Sequence, residues 1–150
     1  MSFEIFAGKF TEKKIGYVKA GSRYYMADPA LLKISRQLGC SVVLYGLFLG
    51  EDKGGKFLPS LALLDLLSKE SDEKVFVNGI GEIDFLYGKG IKARHIAAVK
   101  GSSKAGFMKL VQNEHDENLG YGKITAELGS ARAEIANLLD RGDFIRREKD

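Results

Sequence analysis

Short runs of β-favouring residues alternate with two helical patterns in the first half of the chain. Residues 2–27 are predicted to be strand-rich, because tyrosine, valine and isoleucine cluster there in short runs. Helices are predicted where leucines recur every three or four positions after a capping residue. The predicted strands cover residues 15–18, 23–26, 42–49 and 56–58, and the predicted helices cover residues 28–39 and 60–67.

The second half of the chain predicts further short strands, separated by glycine-containing turns. Gly88-Lys89-Gly90 and Gly120-Tyr121-Gly122 mark two places where the backbone can turn or approach a neighbour closely. Many short strands with glycine turns are typical of a small β-barrel. The predicted strands cover residues 75–77, 95–100, 107–112, 120–125 and 144–147, and the predicted helices cover residues 82–87 and 130–139.

A polar segment over residues 69–73 follows the second helical pattern and is the best candidate for a domain boundary. A chain of 150 residues is long enough for one ordinary domain or two small ones. The sequence therefore predicts an α+β protein with two domains. Residues 1–72 form an α/β domain with a mostly antiparallel sheet, and residues 73–150 form a small β-barrel.

Positive charge is concentrated in the stretch over residues 85–113, which contains six lysines and arginines and no acid. Elsewhere acids and bases are interleaved, so that the whole chain carries a net charge of only +3. A run of one sign inside a folded domain predicts a positive surface, and such a surface attracts polyanions. The alternative interpretation is an ordinary solvated face.

The composition indicates a folded protein of the cell interior. An apolar share of 45% is enough for a packed core, and Cys40, the single cysteine, excludes an internal disulfide. No apolar run approaches the roughly 20 residues that cross a bilayer, and no secretory signal pattern is present at the start. We expect a soluble cytoplasmic protein, or a nuclear or nucleolar one if the source is eukaryotic, without contact to a membrane.

No pattern in the sequence points to catalysis. Residues 113–117 combine acids with His115 but lack a second histidine or cysteine at ligand spacing, so a hairpin loop is predicted there. The segment Gly101-Ser102-Ser103-Lys104 lacks the first glycine of a nucleotide-binding phosphate loop. We therefore expect no metal, no cofactor, no small-molecule substrate and no enzymatic activity.

Aromatic residues in the second half are candidates for stacking on unpaired bases. They are Tyr87, Phe107 and Tyr121, and core packing is the competing interpretation for each. Tyr121 is the best candidate of the three, because the glycines on both sides leave it room.

The order of four segments resembles a PUA domain, the RNA-binding module named after pseudouridine synthases and archaeosine transglycosylases. The segments are Val75-Phe76-Val77, then Phe85-Leu86-Tyr87-Gly88 with Glu82 before it, then Leu119-Gly120-Tyr121-Gly122, and finally Gly142-Asp143-Phe144-Ile145-Arg146-Arg147-Glu148. With residues 42–67 included, the chain is similar to the two-domain ribosome-biogenesis factors of the Nip-seven family. Its short, basic C-terminal end looks more like an archaeal member than a eukaryotic one. His95-Ile96 departs from the pattern, because many PUA domains have a Gly-Val pair there.

The resemblance implies a C-terminal PUA-like barrel and a non-catalytic role in maturation of the large ribosomal subunit. It implies ribosomal RNA or its precursor as partner, and other ribosome-assembly proteins besides. In such domains RNA meets the first helix, its loop glycine and the final strand. Together with the basic run, this gives the predicted RNA-binding residues: Gly88, Lys89, Gly90, Lys92, Arg94, Arg146, Arg147 and Lys149.

Two other functions remain open from the sequence. PUA modules often serve RNA-modifying enzymes, so the chain is alternatively such an enzyme or its accessory subunit. A third interpretation is a protein scaffold whose basic face docks an acidic partner. Salt-sensitive binding of single-stranded RNA distinguishes the first function from the scaffold, and a base-modification assay distinguishes it from the enzyme.

Overall fold

The computed structural model describes residues 2–28 and 46–147, together with residues 30, 33, 34, 37 and 38. The chain divides into two compact units, Met1–Leu66 and Leu67–Asp150. Half of the residues of the helix predicted over residues 28–39 lie outside the described residues, and of the described ones residues 30, 33, 34 and 37 are helical. Residues 42–45 of the strand predicted over residues 42–49 and Cys40 also lie outside the described residues.

The first unit begins with a helix, α1 (Phe3–Ala7), in a segment whose pattern predicts strands. The Ser2 side chain caps the helix by accepting a hydrogen bond from Ile5 N. Phe3 and Phe6 lie one turn apart and are both buried. One helical turn thus delivers two phenylalanines to the core, and this tertiary packing outweighs the local preference for strands.

A four-stranded antiparallel sheet completes the first unit, in the order β1-β2-β3-β4. The strands are β1 (Val18–Ala20), β2 (Arg23–Met26), β3 (Leu47–Lys53) and β4 (Lys56–Pro59). β2 and β4 confirm the predicted positions. Only Gly54 and Gly55 separate β3 from β4, and this tight turn is possible because both glycines adopt positive φ angles, 58° and 73°. The ring of Phe3 from α1 stacks on Tyr24 at 5.2 Å and meets Phe57 edge-on at 5.3 Å.

Helix α2 (Leu61–Glu70) confirms the second predicted helix and extends three residues beyond it. Ser60 Oγ accepts a hydrogen bond from Leu63 N at 3.1 Å, which is the predicted cap. Leu63, Leu64 and Leu67 are fully buried. The predicted leucine face is therefore a packing face.

The second unit contains a six-stranded sheet that curls into a nearly closed barrel. Its elements are β5 (Lys74–Val77), α3 (Gly79–Leu86), β6 (Ile91–Lys92), β7 (Ile96–Val99), β8 (Met108–Gln112), β9 (Asn118–Ala126), β10 (Glu134–Asp140) and α4 (Gly142–Arg147). The strand order is β6-β10-β9-β8-β5-β7, with β5 and β8 parallel and the other pairs antiparallel. Only a 3₁₀ turn, Ala93–His95, joins the edge strands β6 and β7. Because three residues span about 10 Å at most, the two edges of the sheet lie close together.

Apolar side chains from most of these strands and from α3 fill the barrel. The core residues are Val75, Val77, Phe85, Ile91, Val111, Leu119, Ile124, Leu128, Ala133 and Ile135. The helices around this core are short. Within the described ranges, no helix has both the length and the apolar content needed to cross a membrane.

Two predictions near the C-terminus are wrong. Residues 130–139, predicted as a helix, form a turn and most of β10. β10 pairs with β9 because Gly122 leaves room for its backbone: a Cβ on Gly122 would lie 2.5 Å from the Ala136 carbonyl oxygen. This pairing overrides the helix preference of the alanines and leucines. Residues 144–147, predicted as a strand, belong to α4, where Asp143 in the first turn favours a helix start.

Candidate nucleic-acid interface

Both ends of helix α3 are closed by hydrogen bonds. At the start, Asn78 Oδ1 accepts a hydrogen bond from a backbone N–H of the first turn at 2.9 Å. At the end, Gly88 N donates to Phe85 O at 2.9 Å and Lys89 N donates to Asp84 O at 3.0 Å. This pair of bonds is the Schellman motif. It fixes the direction in which the chain leaves the helix and therefore the position of Lys89.

The two predicted loop glycines are required by the backbone. Gly88 has a φ of 84°, which a side chain disfavours, and a Cβ there would lie 3.2 Å from Arg146 Nη2. Gly90 packs against strand β10, where an added Cβ would lie 2.8 Å from the Ile135 carbonyl oxygen. Both glycines thus hold the turn after α3 against neighbouring parts of the unit.

Lys89 and Lys92 follow this turn, and each is exposed with one carboxylate neighbour. Lys89 Nζ lies 2.7 Å from Asp84 Oδ1, and the hydrogen bond between them lowers the pKa of Asp84 below its usual value. Lys92 on β6 pairs with Glu134 on β10. The lysine side chains are 66% and 54% exposed, so both ammonium groups remain open to a larger anion.

Arg94 lies in the 3₁₀ turn between β6 and β7. Its Nε donates to Nε2 of His95 at 3.0 Å. His95 is buried because Gly81 of α3 packs closely on it, and a Cβ on Gly81 would lie 2.8 Å from the histidine Cβ. The Asp84 carboxylate lies 3.8 Å from the same imidazole nitrogen. Arg94 therefore reaches the side of α3 that carries Asp84.

The Arg146 side chain is held by hydrogen bonds to other groups of the second unit. Its guanidinium lies 3.0 Å and 2.9 Å from the two carboxylate oxygens of the buried Asp140, and it also donates to the carbonyl oxygen of Leu86. Asn137 Nδ2 donates to Phe85 O at 2.8 Å and to Asp140 at 3.0 Å. These side chains satisfy the last carbonyls of α3, which a helix leaves without partners of its own. Arg146 thereby holds the end of α3 against the barrel.

Arg146 and Arg147 lie on helix α4, so their predicted placement on a final strand is wrong. Successive helical residues are separated by about 100° around the axis, whereas successive strand residues face opposite ways. The Arg147 side chain and Lys149 lie outside the part of the chain that the structure describes. Their contact with RNA stays a prediction.

The barrel unit also matches a known family. A family model described as UPF0113 PUA domain covers residues 73–149. The chain belongs to the UPF0113 PUA domain family. A curated relative, a UPF0113 protein of Archaeoglobus fulgidus, is 33% identical over an alignment of 112 residues. The match covers 69% of this chain and 62% of the relative. The chain thus spans less than two thirds of the length of that relative.

Two solved structures share the fold of this member of the UPF0113 PUA domain family. A conserved PUA domain protein from Thermoplasma acidophilum has a TM-score of 0.52 at 20% identity, covering 85% of this chain and 99% of the other. A hypothetical protein from the hyperthermophilic archaeon Pyrococcus horikoshii has a TM-score of 0.50 at 14% identity, covering 85% and 77%. At these identities the likeness concerns the fold. It confirms the predicted PUA-like barrel, and PUA domains generally bind RNA.

The acid-free run over residues 85–113 is not a continuous positive surface in this UPF0113 PUA domain. Lys109 is fully buried with its Nζ 2.7 Å from Glu73 Oε2, and burial lowers its pKa. Lys100 Nζ lies 5.6 Å from the centre of the Phe76 ring. Carboxylates from outside the run fold back onto several of its cations. The prediction that the whole run forms a positive surface is therefore wrong at Lys109. The other five cations of the run stay exposed: Lys89, Lys92, Arg94, Lys100 and Lys104.

The exposed aromatic side chain near this segment is Tyr87. It is 71% exposed, whereas Tyr121 is only 7% exposed. The prediction that Tyr121 is the best stacking candidate is therefore wrong. The space beside Gly120 and Gly122 is filled by the backbone of β10 and is not open to a ligand. Phe107, in the loop before β8, is 48% exposed.

The predicted hairpin loop over residues 113–117 joins β8 to β9. Asn113 Oδ1 accepts hydrogen bonds from His115 N and Glu117 N, both at 3.0 Å. Asp116 forms an ion pair with Lys74 at 3.0 Å. Among the residues that are described, no group of three or more histidines, cysteines or acids is arranged to hold a metal ion.

Sequence reasoning missed the acids and the amide that organise this interface. Asp84 had a local signal, since it lies five residues before Lys89 across a predicted helix end. No local signal pointed to Asn137, because its partner Phe85 lies 52 residues earlier in the sequence. Asn137 also belongs to a segment with a helical pattern. Asp140 likewise had no local signal, because it ends β10, the strand that was predicted as a helix over residues 130–139.

Proposed function

We propose that this chain is a non-catalytic RNA-binding protein that contacts RNA along α3, the turn after it and strand β6. The observation that carries the proposal is a row of exposed cations, Lys89, Lys92 and Arg94, directly behind a helix whose ends are fixed. Membership of a PUA domain family supports RNA as the polyanion. Gly88 and Gly90 fix the turn that presents these cations, and the cations meet the phosphates of the RNA.

The carboxylate partners of these cations do not prevent the proposed contact. Exposed ion pairs add little net stability, because water and salt screen them. A phosphate therefore replaces Asp84 at Lys89, or Glu134 at Lys92, without a large penalty. Each phosphate contact also releases a counterion from the RNA, which favours binding at low salt.

Arg146 has a positioning role in this proposal. Through Asp140 and the Leu86 carbonyl it holds the end of α3, and with it the turn that carries Lys89. Arg147 and Lys149, which follow Arg146 in the sequence, are further proposed RNA contacts.

Replacing Lys89 and Lys92 together by alanine is expected to weaken binding of single-stranded RNA and to flatten its salt dependence. Two lost phosphate contacts change the slope of log affinity against log salt by roughly 1.4.

The converse change, Asp84→Asn, removes the acid that competes for Lys89, so the affinity for RNA should rise about threefold. Fluorescence anisotropy at several salt concentrations measures both effects.

The control for Asp84→Asn is Glu51→Gln in the first unit, which alters the net charge equally but leaves the interface untouched. We expect affinity to stay close to that of the original chain. An unchanged salt slope in the double lysine variant, or equal gains in the two acid variants, would contradict the proposed contact.

We further propose that the RNA is ribosomal RNA or its precursor, bound during large-subunit assembly together with other assembly proteins. The likeness of the segment order to the Nip-seven family supports this target, and we place the domain that binds it at residues 73–150. Ultraviolet crosslinking in cells, followed by sequencing, should recover ribosomal RNA attached near Lys89 to Arg94. Recovery of other RNA classes alone would refute the ribosomal target while leaving RNA binding intact.

A further inference from the structure

Helix α3 and Tyr87, the residue that caps its C-terminal end, carry a stripe of large apolar side chains that the fold leaves exposed. Ile80, Ile83 and Tyr87 are 68%, 58% and 71% exposed. At about 100° per residue, the three side chains lie within roughly 60° of one another around the helix axis. Gly81 and Phe85, on the opposite side, are buried. Single exposed apolar residues are ordinary, but three aligned on one short helix mark a contact surface.

Cations border this stripe. Asp84 lies about 40° from Ile80 around the axis, and its carboxylate holds Lys89 Nζ at 2.7 Å. On the same flank, Arg94 reaches the helix through its hydrogen bond to His95. The apolar stripe and two exposed positive side chains thus share one side of the unit.

Hydrogen bonds fix the backbone at Tyr87, and its ring is exposed. Tyr87 N donates to Ile83 O at 3.1 Å, and the next residue is bonded in turn, Gly88 N to Phe85 O at 2.9 Å. Gly88 has no side chain, so nothing from the following residue covers the ring. An exposed aromatic ring beside cations is the arrangement with which proteins hold single-stranded nucleic acids.

We propose that Tyr87 is a platform on which an unpaired RNA base stacks, with a second base against Ile83 and the intervening phosphates at Lys89 and Arg94. This inference rests on the proposed RNA-binding function and restricts it to strands whose bases are free. A base inside a duplex has both faces covered by its neighbours and cannot stack on a side chain. A helix of a partner protein is the rival occupant, but the bordering cations favour a strand that alternates flat apolar rings with negative charge.

The test compares the full-length chain with its Tyr87→Ala variant, using an unstructured RNA of about 10 nucleotides and the same RNA annealed to its complement. The original chain should prefer the single strand. Tyr87→Ala should lose roughly tenfold in affinity for it, since a base stack contributes about that much. The salt slope should stay unchanged, because no phosphate contact is removed. Tyr87→Phe keeps the ring and should bind like the original chain.

Phe107→Ala is the matched control, because Phe107 is an exposed aromatic of the same PUA domain outside α3. Its affinity should not change, and thermal melting should show that both alanine variants fold. Undiminished RNA binding by Tyr87→Ala overturns the inference, leaves the proposed function standing and points to a protein on the stripe. Absence of salt-dependent RNA binding by the original chain overturns the proposed function and this inference together.

Discussion

Gly142→Ala is expected to lower the free energy of unfolding by about 3 kcal/mol or more. Gly142 is the first residue of α4 and is buried. A Cβ at this position would overlap the carbonyl oxygen of Leu86 and lie 2.8 Å from Arg146 Nη1. The carbonyl belongs to the last turn of α3, so it cannot move without disturbing that helix end. Denaturant unfolding of the full chain measures the loss.

Gly79→Ala is the matched control for this change. Gly79 also begins a helix, α3, but nothing lies within 4 Å of the position that its Cβ would take. Alanine there restricts the unfolded chain without a clash, so the stability should stay the same or rise by about 0.5 kcal/mol. Equally small effects of the two substitutions would contradict the close packing of α4 on the end of α3.

The same packing explains why RNA binding should depend on residues that never touch RNA. Displacing Gly142 separates Arg146 from the Leu86 carbonyl and loosens the turn that positions Lys89. A variant that stays folded under native conditions should therefore lose affinity without a change in the number of cations. The glycine and the arginine act as supports of the proposed interface.

The sequence predicted the middle of the barrel well. Strands β5, β8 and β9 lie within one or two residues of their predicted bounds, and the helix before Gly88 begins three residues earlier than predicted. In these segments the local preference agrees with the tertiary packing: valine, leucine and isoleucine favour strands, and the same side chains fill the barrel core. Glycines that need positive φ angles, such as Gly88, mark turns that no other residue type adopts as easily.

β10 could not be recognised from its own residues. Alanine, asparagine and leucine in its sequence satisfy a helical pattern as well as a strand, so the decision falls to its neighbours. β9 presents Gly120 and Gly122 toward it, and only an extended backbone fits that closely beside them. The information lies in the partner strand, whose glycines make room for a backbone and not for a ligand.

The positive surface was overestimated for a similar reason. Lys92 meets Glu134 across 42 residues of sequence, and Lys109 meets Glu73 across 36. A charge run is a one-dimensional feature, whereas the potential at a surface depends on every acid that folding brings near. Only the register of the sheet reveals these partners, so the sequence alone overstated the positive potential.

The pair formed by Lys109 and Glu73 carries the second large prediction. Lys109 is fully buried, with Nζ 2.7 Å from Glu73 and in contact with the Lys100 carbonyl oxygen. Glu73 is 25% exposed and also accepts hydrogen bonds from Ser102 N at 3.1 Å. Removing one charge of such a pair leaves the other without compensation. The outcome therefore depends on which partner is removed.

Glu73→Gln should lower the free energy of unfolding by about 3 kcal/mol near neutral pH, because it leaves a buried ammonium group beside a neutral amide. Lys109→Met should change it by less than about 1 kcal/mol, since the remaining carboxylate reaches solvent. In the Lys109→Met background, Glu73→Gln should then have little further effect. Denaturant unfolding of the three variants checks this order, and equal losses for both single substitutions would be inconsistent with it.

The pH dependence of this pair follows from the direction of the lysine shift. Burial lowers the pKa of Lys109 from its ordinary value of 10.5, so the unfolded chain keeps this proton to higher pH than the folded chain does. Stability from this group therefore rises as pH increases from the folded pKa toward 10.5, and the full penalty of burying the charge applies below that window. Methionine at position 109 carries no proton, so the original chain should gain stability relative to Lys109→Met across the window. A difference that does not vary with pH would mean that Lys109 holds its proton equally well in both states.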